Sequence, residues 1–497
     1  MSGLNRASLA TLSAHPYDVL VVGGGIYGAM AARESSLRGH RTALVERGDF
    51  GAGTSFNSLK IVHGGIRYVQ HLDVMRLRAS ARERAFWRHV APDLVQPLDF
   101  TVPLTGFGIK GPVAFAAAAA LYTALSTGLR GPDFGGTGVI SAAAAQRHLG
   151  GFAPKGLTGG GVWRDGQIQD TGRLQIAVLS AAARTGTDIA NHMAVDGFVH
   201  RRGRIEGAAV TDRITGESGE ISARVVLSCT GEAAGSLASP VLTSDARARF
   251  PAFARALNIV VRRQIGNRAL GIVGCEGSDA VIDRGGRMYF LTPWAGLTVI
   301  GTHEAPLPGP DIDPDTAVAD FLDILNRACP DLALTMQDVL HVYDGMIPAD
   351  VDDDRNHAVR RRTAGTLLDH ASDGAAGLVS VIGVKYTTAR SIAARAMDTA
   401  ERHLGGDVSA RVRRRSLTEK LPQVASALVD PDDCAALAAR MEYAMRQEMA
   451  MTLEDAVMRR MPLVETGALL GPDGPARCER LKKIARTLGL PGDSFMS

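Results

Sequence analysis

Apolar and polar positions first fall into a clear order between Tyr17 and Glu46, where the chain reads YDVLVVGGGIYGAMAARESSLRGHRTALVE. Val19 to Val22 form an unbroken apolar run, the pattern of a strand buried on both faces of a parallel sheet. Gly23, Gly25 and Gly28 follow and open an Ala-rich segment with helical periodicity. Gly39 stands where that helix should stop, because glycine tolerates the left-handed conformation of a C-cap. A second apolar run, Thr42 to Val45, ends on Glu46. The prediction is strand, tight turn, helix, strand.

Further along, residues 72 to 91 read as a helix with Met75, Ala79, Phe86 and Val90 on one side. Val113 to Leu125 is the most apolar stretch. It is too short and too Ala-rich to span a bilayer, so it reads as a packed helix, with an interfacial membrane helix as the alternative. A helical pattern runs from Gln175 to about Thr185, a strand from Ile189 to Phe198, and a hairpin from Ala208 to Ala223. Arg224 to Leu227 is another apolar run, and its exit at Ser228-Cys229-Thr230-Gly231 fits a return to the first sheet. Residues 256 to 305 are strand-rich, with Ala256–Val261, Met288–Leu291 and Leu297–Gly301 as candidates, and Thr316 to Ala328 is helical. Tyr343 to Pro348 is expected to begin a loop, and 350–362 is a charged, exposed run. Leu378 to Ile382 is a strand whose exit, Gly383 to Thr388, opens a helix through Leu404. Beyond Arg411 the chain is mostly helical and amphipathic.

A length of 497 residues allows two or three domains, and 45% hydrophobic residues is ordinary for a globular protein. The net charge of +3 suggests no general preference for polyanions. The five cysteines show no C-x-x-C spacing, which argues against a zinc ribbon or an iron–sulfur cluster and predicts buried thiols in a reducing compartment. No metal site is expected. The first 16 residues lack an apolar core with a cleavage signal, so no secretion signal is predicted. Basic residues without interleaved aromatics give no nucleic-acid module.

The chemistry begins at the glycines. Gly23 permits the tight turn, Gly25 lets the backbone approach a pyrophosphate, and Gly28 allows close helix–strand packing, with the helix N-terminus facing phosphate charge. Glu46 falls where a carboxylate accepts from ribose hydroxyls, about 20 residues on. The acid favours a free 2′-hydroxyl, as in NAD or the adenosine of FAD. The next loop carries Gly51, Gly53, Thr54, Ser55 and Ser58, small donor-rich residues suited to a phosphate or a flat ring. His63-Gly64-Gly65 places a titratable ring beside flexible backbone, with Arg67 four residues on. From Lys60 to His89 seven basic residues face two acids, a net +5, which reads as a solvated face or as a funnel for an anionic membrane or substrate. Gly159-Gly160-Gly161 fails as a second nucleotide loop, since Arg164 stands at the third glycine position. One fingerprint alone disfavours reductases that bind both FAD and NAD(P)H. Gly383-Val384-Lys385-Tyr386-Thr387-Thr388 at a helix start suits an anion, such as a reduced flavin ring.

Together DVLVVGGGIYGA, TSFNSLKIVHGGIRY, the pair PW with TVIGTHE, GVKYTTAR and MRQEMAMTLEDAVMRR resemble the FAD-dependent glycerol-3-phosphate dehydrogenases, within the D-amino-acid-oxidase-like flavoproteins. The resemblance spans most of the chain, in family order. It implies an α/β fold: an FAD-binding Rossmann-like domain of the GR2 type, a mixed or antiparallel sheet domain over the flavin, and a helical C-terminal domain. The expected boundaries are 15–105, 160–245 and 355–405 for FAD binding, 106–159 and 246–354 for the substrate domain, and 406–497 for the helical domain. The resemblance places His63, Arg67 and Lys385 at the reacting centre and Arg67, Arg361, Asn258 and Thr387 around the substrate. Against FAD it sets Gly23, Gly25, Gly28, Glu46, Thr54, Ser55, Ser58, Lys60, His63, Gly64, Val195, Thr230, Gly231, Gly383, Lys385, Tyr386, Thr387 and Thr388.

The implied reaction is oxidation of sn-glycerol 3-phosphate to dihydroxyacetone phosphate, with hydride passing to flavin N5 and electrons to a quinone. A cytoplasmic protein with peripheral contact at the inner face of the membrane, and a homodimer, are compatible with this. There are departures. Where relatives carry Arg in a G-x-R-P turn, this chain has Ile347; where they often carry a histidine, it has Asn258; and the GGK turn is GVK, with Val384. Another polyol phosphate, hydroxy acid or amine is therefore the alternative substrate, and a non-catalytic FAD-binding protein a further one.

Overall fold

The computed structural model describes residues 3–274, 287–306, 313–352, 358–362, 364–405, 415–492 and 495. The first half of the chain supplies ten strands: β1 Tyr17–Val22, β2 Thr42–Val45, β3 Ile61–Val62, β4 Val95–Thr105, β5 Gly138–Ser141, β6 Leu157–Ile168, β7 Asp188–Ala190, β8 Met193–Arg201, β9 Arg204–Asp212 and β10 Ser218–Ser228. Eight more follow among the described residues: β11 Ala252–Val261, β12 Ala269–Val273, β13 Met288–Trp294, β14 Leu297–Pro306, β15 Val339–Asp352, β16 Ala358–Arg361, β17 Thr366–Asp369 and β18 Leu378–Ile382.

They form two sheets. The first runs β17-β18-β10-β1-β2-β7, with β8 and β9 extending it from β10. Its centre is parallel: β1 lies between β10 and β2, and β10 pairs with β18. The continuous apolar runs demand this, because a strand covered on both faces has no polar side. Helices Ile26–Leu37, Thr171–Arg184 and Ala389–Leu404 cover one face and bury Met30, Leu174, Val178, Ala393 and Met397 against Val19, Val21, Val225 and Val379. The segments that close this sheet are far apart in sequence, so this largely parallel unit is assembled from separated pieces.

The second sheet runs β16-β15-β11-β14-β13-β12-β4-β6-β3, with β5 on β6. It is antiparallel except where β12 meets β4. Its outer face is covered by the amphipathic helix Pro314–Ala328, which buries Val318, Phe321, Leu322 and Leu325 against Ile259, Leu291 and Ile300. β4 and most of β6 lie in segments expected in the nucleotide domain, yet they hydrogen-bond into this sheet.

Several sequence expectations change. Tyr343–Pro348 is not a loop but the middle of the 14-residue strand β15. Gly159–Gly161 lie inside β6, where a methyl on Gly161 would stand 2.6 Å from the Phe115 ring. Gly159 and Gly161 let the helix Pro112–Leu125 press onto the strand, and Gly160 makes room for Ala145 and Ile140. The strand expected from Ile189 to Phe198 is broken at Asn191-His192, with His192 at φ +50°.

The C-terminal helices Cys434–Glu448 and Gly474–Leu488 form a separate core around Leu437, Met441, Val457 and Leu481. Buried charges fasten it to the first sheet. Asp49 accepts from Arg459 at 2.6 Å and from both terminal nitrogens of Arg460 at 2.7 Å. Glu448 pairs with Arg173 and Arg440. A cavity of about 340 Å³ lies at this junction, lined by Gly48, Asp49, His192, Asp455, Arg459 and Phe495.

Candidate active site

The turn between β1 and its helix fits a dinucleotide. Gly23 has φ +103°, and a methyl on Gly28 would stand 1.9 Å from the Gly23 carbonyl oxygen, so both positions require glycine. A methyl on Gly25 would meet only Ser55 Oγ, at 3.1 Å, which leaves this backbone open to a close ligand. Ser55 Oγ accepts from the Ile26 amide at 2.9 Å, at the helix N-terminus where a phosphate oxygen is expected. The Glu46 carboxylate accepts from the amides of Gly24 at 2.6 Å and Gly48 at 2.9 Å. Desolvation raises its pKa, and these two donors partly oppose the rise. Thr230 and Gly231 follow the end of β10, beside β1; Gly231 has φ +60°, and Thr230 Oγ1 lies 3.2 Å from Ser228 Oγ. Val195 sits at a bulge in β8, opposite Val210.

The second half of the site is where two distant loops meet. The His63 amide donates to Thr387 Oγ1 at 3.1 Å, across 324 positions. Trp87 Nε1 donates to the Thr387 carbonyl at 3.0 Å. Tyr27, on the helix Ile26–Leu37, accepts from the amides of Val384 and Lys385 and donates to the Lys385 carbonyl. Its ring fills the space where Gly383 lacks a side chain: a methyl there would stand 1.9 Å from the ring. Thr388 Oγ1 lies 3.3 Å from the Tyr27 hydroxyl. Lys385 Nζ lies 4.2 Å over the Tyr68 ring. Burial, and then the nearby Arg67 charge, push its pKa down to about 8. His63, Arg67, Lys385 and Thr387 thus converge, with Arg67 exposed and His63 partly so.

The structure also brings in residues that the sequence reading missed. Asp165, buried on β6, accepts from the Gly64 amide, Arg84, Trp163 and His63. A lone acid among alternating strand positions carries no signal that its side chain faces inward. Gly64 itself is walled in: a methyl there would stand 2.1 Å from Arg84 NH1.

Four of the assigned side chains contact other parts of the protein. Lys60 turns away into a buried cage. Its ammonium lies 3.1 Å from Glu465 and 3.3 Å from Thr171, with the rings of Trp294 and Tyr343 at 4.6 and 4.8 Å. A side chain held by a carboxylate and two rings is committed to the fold and not to a cofactor. Thr54 Oγ1 donates to the Met346 carbonyl and accepts from its amide, tying the loop to β15. The Tyr386 ring lies tilted against Trp87 at 5.6 Å, and its hydroxyl is buried. Ser58 Oγ accepts from the Lys60 amide at 3.4 Å.

The second sheet turns one face toward these loops. Phe290, Gly301, Asn258 and Tyr343 lie directly opposite one another on adjacent strands and so share that face. Phe290 lies 6.4 Å from the His63 ring. Gly345, two residues on from Tyr343, faces Asn57 and Thr54. Ile347 continues the row and is buried with Ala254, Ala256 and Ala349. Asn258 is buried and accepts from Thr302 Oγ1 at 2.7 Å. Arg361 ends β16 opposite Ala349, and its side chain lies outside the described residues.

A family model described as FAD dependent oxidoreductase matches residues 18–390. The chain is 32% identical over 404 residues to a glycerol-3-phosphate dehydrogenase of Synechocystis sp., covering 77% of this chain and 69% of that protein. It is 30% identical over 425 residues to the mitochondrial glycerol-3-phosphate dehydrogenase of Mus musculus, covering 80% of this chain and 54% of that one. The chain thus spans about half the length of the mitochondrial relatives it matches. Its fold is similar to that of the glycerol-3-phosphate dehydrogenase from Bacillus halodurans complexed with FAD, with a TM-score of 0.66 at 21% identity, covering 97% and 92% of the two chains. It is also similar to an FAD-bound L-alpha-glycerophosphate oxidase from Mycoplasma pneumoniae, with a TM-score of 0.56 at 18% identity, covering 82% of this chain and all of the other.

Proposed function

The chain belongs to the FAD dependent oxidoreductase family, and we propose that its reaction is the oxidation of sn-glycerol 3-phosphate to dihydroxyacetone phosphate. FAD, the cofactor of this family, supplies the hydride acceptor. The observation that carries the reading is the meeting of the His63–Arg67 turn with the Lys385–Thr388 turn, which sets a proton acceptor and two cations beside one another. His63 takes the proton of the substrate hydroxyl. Arg67 holds the phosphate through paired N–H donors, and Lys385 adds a positive charge next to it. The names of the relatives from Synechocystis and mouse support this substrate.

A second reading has its own support. Ile347 packs with three alanines on the face of the sheet turned to the site, and Asn258 is held by Thr302, so that face offers little charge to a phosphate. A small hydroxyl compound or amine without a phosphate fits such a face.

The proposed electron acceptor is a quinone, reached at a membrane surface. Among the described residues no helix is long and apolar enough to cross a membrane. The support for surface contact is the helix Pro112–Leu125, which carries no charged residue and exposes Val113, Ala116, Ala117, Ala120, Leu121 and Ala124. Phe107, in the loop before it, is 87% exposed.

The test is anaerobic mixing with sn-glycerol 3-phosphate, followed at the flavin absorbance band. Rapid bleaching supports the first reading. Flavin that dithionite reduces but this substrate does not would favour the second, and trials with other hydroxyl compounds and amines would follow.

A further inference from the structure

We infer that Asp165 is a positioning residue that fixes the orientation and tautomer of His63; the inference rests on the proposed role of His63 as proton acceptor. Asp165 is 2% exposed and sits near the C-terminal end of β6. Its Oδ1 accepts from the Gly64 amide and Arg84 NH1, both at 2.7 Å. Its Oδ2 accepts from Trp163 Nε1 at 3.1 Å and lies 3.2 Å from His63 Nδ1. Trp163 is two residues away on the same strand face and is held by stacking on Phe100 at 5.0 Å. Arg84 is fully buried on the helix Val74–Val90, with its guanidinium 4.1 Å from the Phe134 ring.

Four donors around one carboxyl leave it a single useful state. Burial alone would raise its pKa, but the hydrogen bond from His63, the Arg84 charge and the Gly64 amide outweigh burial and bring it below the ordinary value. The group is therefore an ionised carboxylate, and a carboxylate only accepts. The proton between Asp165 and His63 must then sit on Nδ1 of the ring. A neutral imidazole with its hydrogen on Nδ1 carries its lone pair on Nε2, the nitrogen free to take a proton. When Nε2 takes the hydroxyl proton, the imidazolium stays paired with the carboxylate, and Asp165 keeps its charge. The Gly64 contact adds to this: the same carboxylate holds the backbone next to the base, so ring and main chain are fixed by one group.

Asn at position 165 has nearly the same shape but would turn an NH2 group toward a set of donors. The expected result for Asp165→Asn is a kcat fall of about 100-fold, with KM for the reducing substrate changed far less. The decisive reading is a double-mutant cycle with His63→Gln. In the His63→Gln background, Asp165→Asn should cost no more than about 2-fold, because the group it serves is gone. Full additivity would overturn the inference, since a residue that merely supports the fold costs the same in both backgrounds. Unchanged turnover in His63→Gln alone would instead remove the proposed role of His63, which separates the two failures. A measurement on the unaltered holoprotein covers the case in which Asp165→Asn does not fold. The 15N spectrum of histidine-labelled protein, with His63 assigned by its loss in His63→Gln, should show the hydrogen on Nδ1. A hydrogen on Nε2 of the neutral ring would overturn the inference.

Discussion

The phenol of Tyr27 donates to the carbonyl of Lys385 at 2.6 Å and accepts from the amides of Val384 and Lys385 at 3.2 and 3.1 Å. One side chain on the dinucleotide helix thereby fixes three backbone groups of a loop 358 positions away. Tyr27→Phe keeps the ring that packs on Gly383 and removes only the hydroxyl. The loss should destabilise the protein by roughly 1–3 kcal/mol, since two amides and one carbonyl lose a shared partner. Thermal unfolding should show a lower Tm, and FAD should dissociate faster in a fluorescence-release assay. An unchanged release rate would mean that the loop is held without this bond.

Gly25 and Gly28 should respond differently to the same added methyl group. At Gly28 the methyl would stand 1.9 Å from a backbone oxygen, and no side chain can move to relieve it. Gly28→Ala should cost about 3 kcal/mol or more and give little folded protein. At Gly25 the nearest atom is Ser55 Oγ at 3.1 Å, a side-chain atom that can shift. Gly25→Ala should fold with near-normal circular dichroism and yet weaken FAD by at least about tenfold, because the methyl fills the space of the approaching pyrophosphate. FAD titration of both apoproteins checks the pair. Normal FAD affinity in Gly25→Ala would place the phosphates elsewhere.

The nucleotide turn was legible because all its determinants are local: an apolar run, three glycines and an acid lie within 30 positions and lead to β1, its helix and β2. The meeting of His63 with Thr387 was legible only through family resemblance, since nothing local pairs residues 324 positions apart. Lys60 shows the limit of reading by neighbourhood. It stands beside donor-rich residues in sequence, but its φ of +60° and its pairing with Glu465 send the side chain into the core. β15 was hidden by Gly345 and Pro348, which ordinarily punctuate loops. The strand tolerates Pro348 because its carbonyl accepts from Arg362 on the edge where pairing with β16 starts only at Ala349, so the missing N–H falls at the end of that ladder.

Lys385 should give the site a pH dependence on the alkaline side. Burial and the Arg67 charge lower its pKa to about 8, so the cation is lost as pH rises through that value. If it attracts an anionic substrate, KM should rise above about pH 8, and Lys385→Met should show a high KM with no such rise. The stability effect has the opposite sense. The folded pKa lies below the ordinary 10.5, so between about 8 and 10.5 the unfolded chain binds more protons, and stability rises with pH through that window. Below about 8 the full penalty of the buried cation is present. Lys385→Met should therefore flatten the urea-denaturation midpoint across that window. A midpoint slope identical to that of the unaltered protein would show that Lys385 titrates normally.

The Lys60–Glu465 pair makes a sharper stability prediction, because each partner is nearly sealed from water. Both side chains are no more than 3% exposed, and the ammonium lies 3.1 Å from the carboxylate. Tyr343 adds a hydrogen bond to the same carboxylate at 2.9 Å. Glu465→Gln leaves the ammonium without its counter-charge among Phe56, Trp294 and Tyr343, and it should cost about 3–5 kcal/mol. Lys60→Met should also destabilise, by stranding the carboxylate. The double variant Lys60→Met/Glu465→Leu removes both charges and fills the cage with apolar atoms, so it should recover most of the loss; neutralising a buried pair is far less costly than breaking it. Urea unfolding of the four proteins, with midpoints compared at equal m-values, reads this directly. Additive losses in the double variant would show that the charges do not meet in solution. Near-complete recovery would show that Glu465 holds the C-terminal helices against the loop leading to His63 through charge compensation, and that packing alone can take its place.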